Sequence, residues 1–296
     1  MSRMIENKKE GLITCADYKR TSVKVAYWLL VLFLVVCALL ALLPVLWAFL
    51  SGFKEISEYY SANPTIFPKE IDLKKIVTVS KQLKLTRAFG NSLIIFAGCW
   101  VGEVIVGGIA GYTISRLKPR GGKLLFSVML WTMMMPHTLT MVPMFMTWTD
   151  FPLIHINFQN TFIPLWAGSM ANIFHILLFK NFFDGIPTSY IESAKLDGCS
   201  NIGIFMRIIV PLSKPIIYTM TVFVFNTTWN NFMGPFLYLK DLELAPVALR
   251  LYTAGTQWTE PEQMLAAFIV MVPSIIVFMI CSKQIMGNNV SVGVKG

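Results

Sequence analysis

Long apolar runs separated by short charged stretches set the pattern of this chain. Six such runs stand out, at roughly residues 25–49, 93–114, 124–146, 162–179, 216–236 and 264–285. A helix needs about 20 apolar residues to cross a hydrocarbon core, and these runs come close to or exceed that length. They are continuous rather than alternating, so they read as helices and not as barrel strands. The pattern predicts an all-α integral membrane fold with six spans. Pro44 sits near the far end of the first run, Pro136 and His137 interrupt the third, and Pro273 lies inside the sixth. The fourth is short and carries Asn172 and His175, and asparagines and threonines dilute the fifth.

Composition agrees. Of 296 residues, 55% are apolar and 14% charged, where soluble domains carry about a quarter charged residues. The mean hydropathy is +0.61. Orientation follows from the Lys and Arg in the connections, which favour the cytoplasmic side. With both termini inside, 16 of the 25 Lys and Arg fall on that side, including the cluster Arg116, Lys118, Arg120 and Lys123. The loop 148–159 has none, whereas the first external loop, with seven between Lys54 and Arg87, is an exception. The basic start and first run suit a signal anchor better than a cleaved leader, because the run is too long for one. The net charge of +9 fits loops facing anionic lipid headgroups, and no basic tract interleaved with aromatics points to nucleic acid. Cys15, Cys37, Cys99, Cys199 and Cys281 show no paired spacing and read as reduced, structural thiols.

No catalytic residue is predicted. Gly121-Gly122-Lys123 lacks the upstream glycine and the following Ser or Thr of a phosphate-binding loop. His137, His155 and His175 lack metal-ligand spacing, so no metal site is predicted either.

Two polar features inside the runs carry alternative readings. Glu103 lies in the second run, where an acid is costly unless paired, protonated or wetted. It is either part of a cavity wall facing solute or a satisfied packing acid. Around it, Gly98, Gly102, Gly107 and Gly111 provide small faces for close helix contact. In the fifth run, Asn226, Thr227, Asn230 and Asn231 either bond to neighbouring helices or line a hydrated path. Amides beside Trp229, Phe232 and Phe236 suit a carbohydrate, whose hydroxyls bond to amides while its C–H faces rest on rings.

One charged, helix-competent segment is set between membrane runs. Ser189, Glu192 and Lys195 recur at helical spacing, with Ser193, Ala194 and Leu196 as small and apolar surface. Asp197 and Gly198 would end the helix, glycine accepting the left-handed turn at low cost. An amphipathic helix lying on lipid is the plainer alternative, but this one carries acids and few basic residues. The segment, with Ile209-Val210-Pro211-Leu212 after it, resembles the Glu-Ala-Ala loop of binding-protein-dependent ABC importers, and the likeness extends from about residue 20 to 296. Asn91-Ser92-Leu93, Gly111-Tyr112 with Arg116, Phe179 to Pro187, Lys214-Pro215, Trp229 to Phe232 with Pro235, and the tail at 293–296 all fit the carbohydrate-uptake permeases similar to the smaller membrane subunit of the maltose importer. Departures are Ser193 for the usual Ala and Cys199 for a small residue; both remain small.

The resemblance implies a six-helix type I ABC importer transmembrane domain with a cytoplasmic coupling helix. It implies a bacterial inner-membrane location, with a tail at 1–24, a first helix and external loop at 25–90, a core at 91–285 with the coupling loop at 187–211, and a tail at 286–296. Implied partners are a second homologous permease, two cytosolic ATPase subunits, an extracytoplasmic solute-binding protein, membrane lipid and a carbohydrate. No cofactor would bind this chain, since ATP and magnesium are used by the ATPase. Glu192, Ser193, Ala194, Asp197, Gly198 and Pro211 would couple it to that ATPase, while solute contacts in such importers often belong mainly to the other permease. A permease of the same class for a non-sugar solute is the alternative; an ion-coupled secondary transporter would want several intramembrane charges and no docking helix, and a membrane enzyme would want convergent acids or histidines.

Overall fold

The computed structural model describes residues 21–63, 65–136, 138–152 and 154–288, with side chains up to 285. The tails at 1–20 and 289–296, with Cys15 and the 293–296 segment, and also His137, lie outside the described residues. In chain order, α1 (Thr21–Gly52), α2 (Ile56–Tyr59) and α3 (Lys74–Gln82) lead to α4 (Leu85–Tyr112), which continues into a π turn at Thr113–Leu117. Then come α5 (Gly122–Met133), α6 (Thr138–Thr149), α7 (Ile163–Ser169), α8 (Ile173–Asp184) and α9 (Thr188–Leu196). α10 (Asn201–Ile204), a second π turn at Phe205–Ile209 and α11 (Val210–Leu212) precede α12 (Lys214–Trp229) and α13 (Met233–Tyr238). A 3-10 turn at Leu242–Leu244, α14 (Val247–Gly255) and α15 (Glu260–Asn288) close the described chain.

Among the described residues, three continuous segments are long and apolar enough to cross a membrane: Thr21–Gly52, Leu85–Leu117 and Glu260–Ile285. Three bent pairs, α5 with α6, α7 with α8, and 201–212 with α12, bring the spans to six when each pair counts as one. The breaks have local causes. Pro136 follows the end of α5. Asn172 accepts a hydrogen bond from His175 N and so restarts the chain as α8 after a 44° bend. Ser213 ends α11, and α12 leaves it at 70°.

The fifth span differs from the sequence expectation, which carried it to residue 236. Its helix stops at Trp229. Asn230 Nδ2 donates to the Asn226 carbonyl at 2.9 Å, while Asn231 Oδ1 accepts from Gly234 N at 3.1 Å and opens α13. Asparagine amides compete with the backbone in this way, which disfavours them in helix interiors and favours them at ends.

Helix α4 is central, packing against α7, α8 and α12. The main core gathers Ile95, Tyr112, Phe179, Phe183, Ile204 and Met220 around it. α1 meets the rest at its far end along α15: a side chain at Gly52 would lie 2.7 Å from Leu265 Cβ, and the Phe49 and Phe268 rings are 4.8 Å apart. Most apolar side chains of α1, from Val25 to Leu46, are exposed, as suits a helix against hydrocarbon.

The cations of the 54–87 segment have local employment. Lys75 Nζ donates to the carbonyls of Phe53 and Lys54 at 3.1 and 2.8 Å, capping the end of α1, where the helix dipole favours positive charge. Lys54 is buried, bonded to the Thr65 carbonyl and seated 4.6 Å over the Trp47 ring. Lys84 and Arg87 both pair with Glu243. The Lys84 hydrogen bond, reinforced by Arg87 and Arg250, holds the Glu243 carboxyl below the usual range. Four of the seven basic residues that break the charge asymmetry are therefore structural.

Candidate functional site

Helix α9 forms where the sequence reading placed it. Its end is a tight left-handed turn: Cys199 N donates to the Ala194 carbonyl at 2.9 Å and Gly198 N to that of Lys195 at 3.0 Å. Gly198 has φ +79°, which glycine adopts without the clash a Cβ brings. Ser200 then caps α10 by accepting from Gly203 N at 3.1 Å.

The helix has two faces. Ile191 and Ala194 turn inward, and both belong to the main core. Tyr190, Glu192, Ser193, Lys195, Leu196 and Asp197 are exposed, Leu196 to 89%. Ala194 is only 6% exposed, and its small size suits close packing against this chain's own bundle. The outward surface is mixed: an acid at Glu192, a cation at Lys195 and a protruding Leu196. Ile202 and Met206, in the segment after α9, add exposed apolar area, and Pro211 is exposed on α11.

A clamp that the sequence did not single out joins the end of α8 and its link to α9 onto the end of α4. The π turn at the end of α4 presents Arg116, whose Nη2 donates to the carbonyls of Phe183 and Ile186. Phe183 lies in the last turn of α8 and Ile186 in the link to α9. Beside it, Ser115 Oγ donates to Asp184 Oδ1 at 2.6 Å, and Lys180 pairs with the other oxygen of Asp184 at 2.6 Å. Arginine at a helix C-terminus meets carbonyls that lack intrahelical donors and complements the dipole.

The residues expected along a solute path do not stay together. Glu103 is 2% exposed and bonded through Oε2 to Nδ1 of His175, itself 2% exposed. Of its two readings, the satisfied packing acid fits, and the carboxylate faces a side chain of α8 rather than an open path. Trp229 is also turned away. It is buried, its Nε1 donates to the Val270 carbonyl at 2.9 Å, and it stacks on Phe225 with centroids 4.8 Å apart.

What remains exposed is a stripe on α12. Phe223, Asn226, Thr227 and Asn230 recur at helical spacing on one outward face, with exposed Asn231 just beyond the helix. Asn230 Nδ2 also bonds to Asn226 Oδ1 at 3.0 Å, leaving other amide positions open. Nearby, Phe232 stacks on Phe236 at 5.2 Å and meets Tyr252 at 4.3 Å, so three rings form a partly exposed ledge. Amides and hydroxyls beside rings can bind a polyhydroxylated solute.

Relatives carry the same architecture. The chain is 25% identical over 283 residues to the arabinooligosaccharides transport system permease protein AraQ of Halalkalibacterium halodurans, covering 94% of this chain and 100% of that protein. It is 26% identical to the probable starch degradation products transport system permease protein AmyC of Thermoanaerobacterium thermosulfurigenes, covering 92% and 98%. It is 28% identical to the polygalacturonan/rhamnogalacturonan transport system permease protein YtcP of Bacillus subtilis, covering 74% of each. Among solved structures, a chain of a bacterial ABC transporter involved in the import of the acidic polysaccharide alginate superposes with a TM-score of 0.72 at 23% identity, covering 89% of this chain and 98% of that one. That likeness establishes a shared fold. Residues 103–288 match the family described as binding-protein-dependent transport system inner membrane component. With well over half its length matched, and its fold that of an ABC importer permease, the chain belongs to that family.

Proposed function

We propose that this chain is one of two permease subunits of an ATP-driven carbohydrate importer, and that α9 is where a cytosolic ATPase pushes on it. The observation that carries this reading is the two-faced α9, anchored inward by Ile191 and Ala194 while Glu192, Ser193, Lys195, Leu196 and Asp197 stand clear of the bundle. A helix so exposed, on the far side of a clamp to the central span, offers a moving partner both charge and an apolar projection. ATP and magnesium belong to that partner. A homologous second permease, against which the α12 stripe would face, and an extracytoplasmic solute-binding protein complete the assembly. Carbohydrate is the solute class favoured by the stripe beside its aromatic ledge and by the names of the relatives. In this reading Asn226, Thr227, Asn230 and Asn231 line the path, and Glu103 does not.

The test is co-purification followed by uptake in proteoliposomes. The wild-type chain brings an ATPase with it and takes up an oligosaccharide with ATP. Glu192→Arg inverts the docking charge and lowers uptake about tenfold, the effect of about 1.4 kcal/mol at one charged contact. An unchanged uptake rate, with the ATPase retained, would remove α9 from the interface.

The same reading places the chain in a bacterial inner membrane, with both termini in the cytoplasm. Cys15 then resists a membrane-impermeant maleimide added to intact cells, while a cysteine at Asp150→Cys, in the loop after α6, reacts. Labelling of Cys15 from outside would reverse the orientation.

A further inference from the structure

The contact between α4 and α8 follows one rule along its length. Positions 103, 107, 111 and 115 of the first segment, four apart, meet 175, 179, 180 and 184 of the second. The pairings advance together, so the two helices run parallel, with Phe179 meeting both Gly107 and Gly111. In the middle the contact is made by glycine. A Cβ at Gly107 would lie 3.1 Å from Phe179 Cδ2, and one at Gly111 would lie 2.9 Å from the Lys180 backbone nitrogen. At one end stand Ser115 and Arg116 with Asp184 and the α8 carbonyls; at the other stands the buried Glu103–His175 pair.

Glycine against a ring gives closeness without register. Between helices in lipid, apolar packing resists sliding weakly, because hydrocarbon offers much the same contacts. A directional hydrogen bond between two buried side chains holds one register only. Asn172 fixes the His175 end by accepting the backbone N–H of His175 at 3.4 Å. α4 is tied in turn to α12, since Trp100 Nε1 donates to Thr221 Oγ1 at 3.0 Å. Thr221 lies on the same helix as the exposed stripe.

We propose that Glu103 and His175 are positioning residues that pin α4 to α8, so that a push on α9 reaches the α12 stripe as the motion of one rigid body. The proposal rests on the importer reading above. Without the pin, only the Ser115–Asp184 and Arg116 contacts at the other end hold α8 to α4, so the Asn172 end of α8 parts from α4 and part of each ATP-driven stroke is lost before it reaches the path.

The assembled importer, with its permease partner, ATPase pair and binding protein in proteoliposomes, provides the test. Glu103→Ala and His175→Ala leave ATP hydrolysis without solute within twofold of wild type, and lower solute imported per ATP hydrolysed about tenfold. Glu103→Gln, which keeps a hydrogen-bonding group of the same length, stays within twofold on both measures. The exchange Glu103→His with His175→Glu restores at least half of the transport ratio. Wild-type ratios in both alanine variants would overturn the pin. So would a loss in Glu103→Gln as deep as in Glu103→Ala, or a change confined to the half-saturating solute concentration, which would return Glu103 to the path. Should the alanine variants fail to accumulate, the exchange decides: a normally inserted exchange variant that does not transport also overturns it. A wild-type assembly that binds no ATPase and imports nothing is a different result, and it removes the importer reading itself.

Discussion

Arg116→Ala lowers ATP-driven uptake about a hundredfold while leaving the six spans inserted. Arg116 Nη2 bonds to two carbonyls, of Phe183 and Ile186, that flank the joint between α8 and α9. A hydrogen bond from a charged donor contributes about 1.5–3 kcal/mol. Losing two therefore frees the joint by about 3 kcal/mol or more, and each 1.4 kcal/mol is a factor of ten. The Phe183 carbonyl keeps a backbone donor in Ile186 N at 3.1 Å, but that bond stays within the turn and does not tie it to α4. α9 keeps its own turns and the Gly198 cap, but its angle to α8 is no longer fixed. ATP hydrolysis then continues with little import. Arg116→Lys sits between the two, since a single ammonium supplies charge without the planar fork. Limited proteolysis separates this from global unfolding: in Arg116→Ala, cleavage becomes concentrated at residues 185–188. Wild-type uptake in the alanine variant would mean that packing of Ile186, Ile191 and Ala194 alone holds α9.

This clamp also shows where sequence reasoning stops. Arg116 drew notice only as one of four clustered cations and as part of a family likeness, because its partners are backbone carbonyls about 70 residues away. His175 was read as a histidine without metal-ligand spacing; its pairing with Glu103 spans 72 positions and leaves no local trace. Features written in local physics were legible. The six apolar runs, the break near Pro136, and the helix ending at Asp197 and Gly198 all come from residues within a turn or two of each other. Ala194 lies between these cases. That α9 would form was readable, but which side it buries depends on the bundle beneath it.

Trp229 is instructive for a different reason, because the missing information was present. Phe225 and Trp229 are four apart and share a face, while Asn226, Thr227 and Asn230 share another. Grouping the tryptophan with the amides by proximity along the chain placed it on the path. Grouping by helical phase puts it in the core, where it is found. The seven cations between Lys54 and Arg87, an exception to the charge count, have a similar explanation. Counting weighs every lysine equally, yet Lys54 and Lys75 are bound up in closing the end of α1.

Gly111→Ala removes most of the protein from the membrane, whereas Gly108→Ala, three residues earlier, leaves its amount unchanged. Both glycines are buried on α4. What differs is the neighbour a methyl would meet. At Gly111 the new carbon would stand 2.7 Å from Phe179 Cβ and 2.9 Å from the backbone nitrogen of Lys180. Neither atom belongs to a flexible side-chain end, so α8 as a whole must move away. That movement strains the Arg116 clamp and the Ser115–Asp184 bond at once, because Ser115 and Arg116 follow Gly111 within five residues, in the π turn that continues α4. Overpacking at a rigid contact costs about 1–3 kcal/mol before such coupled losses are added. At Gly108 no heavy atom lies within 4 Å of the added carbon, and alanine is the better helix former. Thermal unfolding in detergent, followed by loss of monodisperse protein, ranks the two variants: Gly108→Ala matches wild type and Gly111→Ala melts well below it. Equal melting temperatures would mean that α4 and α8 adjust their spacing freely. In that case the glycine contact would not set the distance between the two helices.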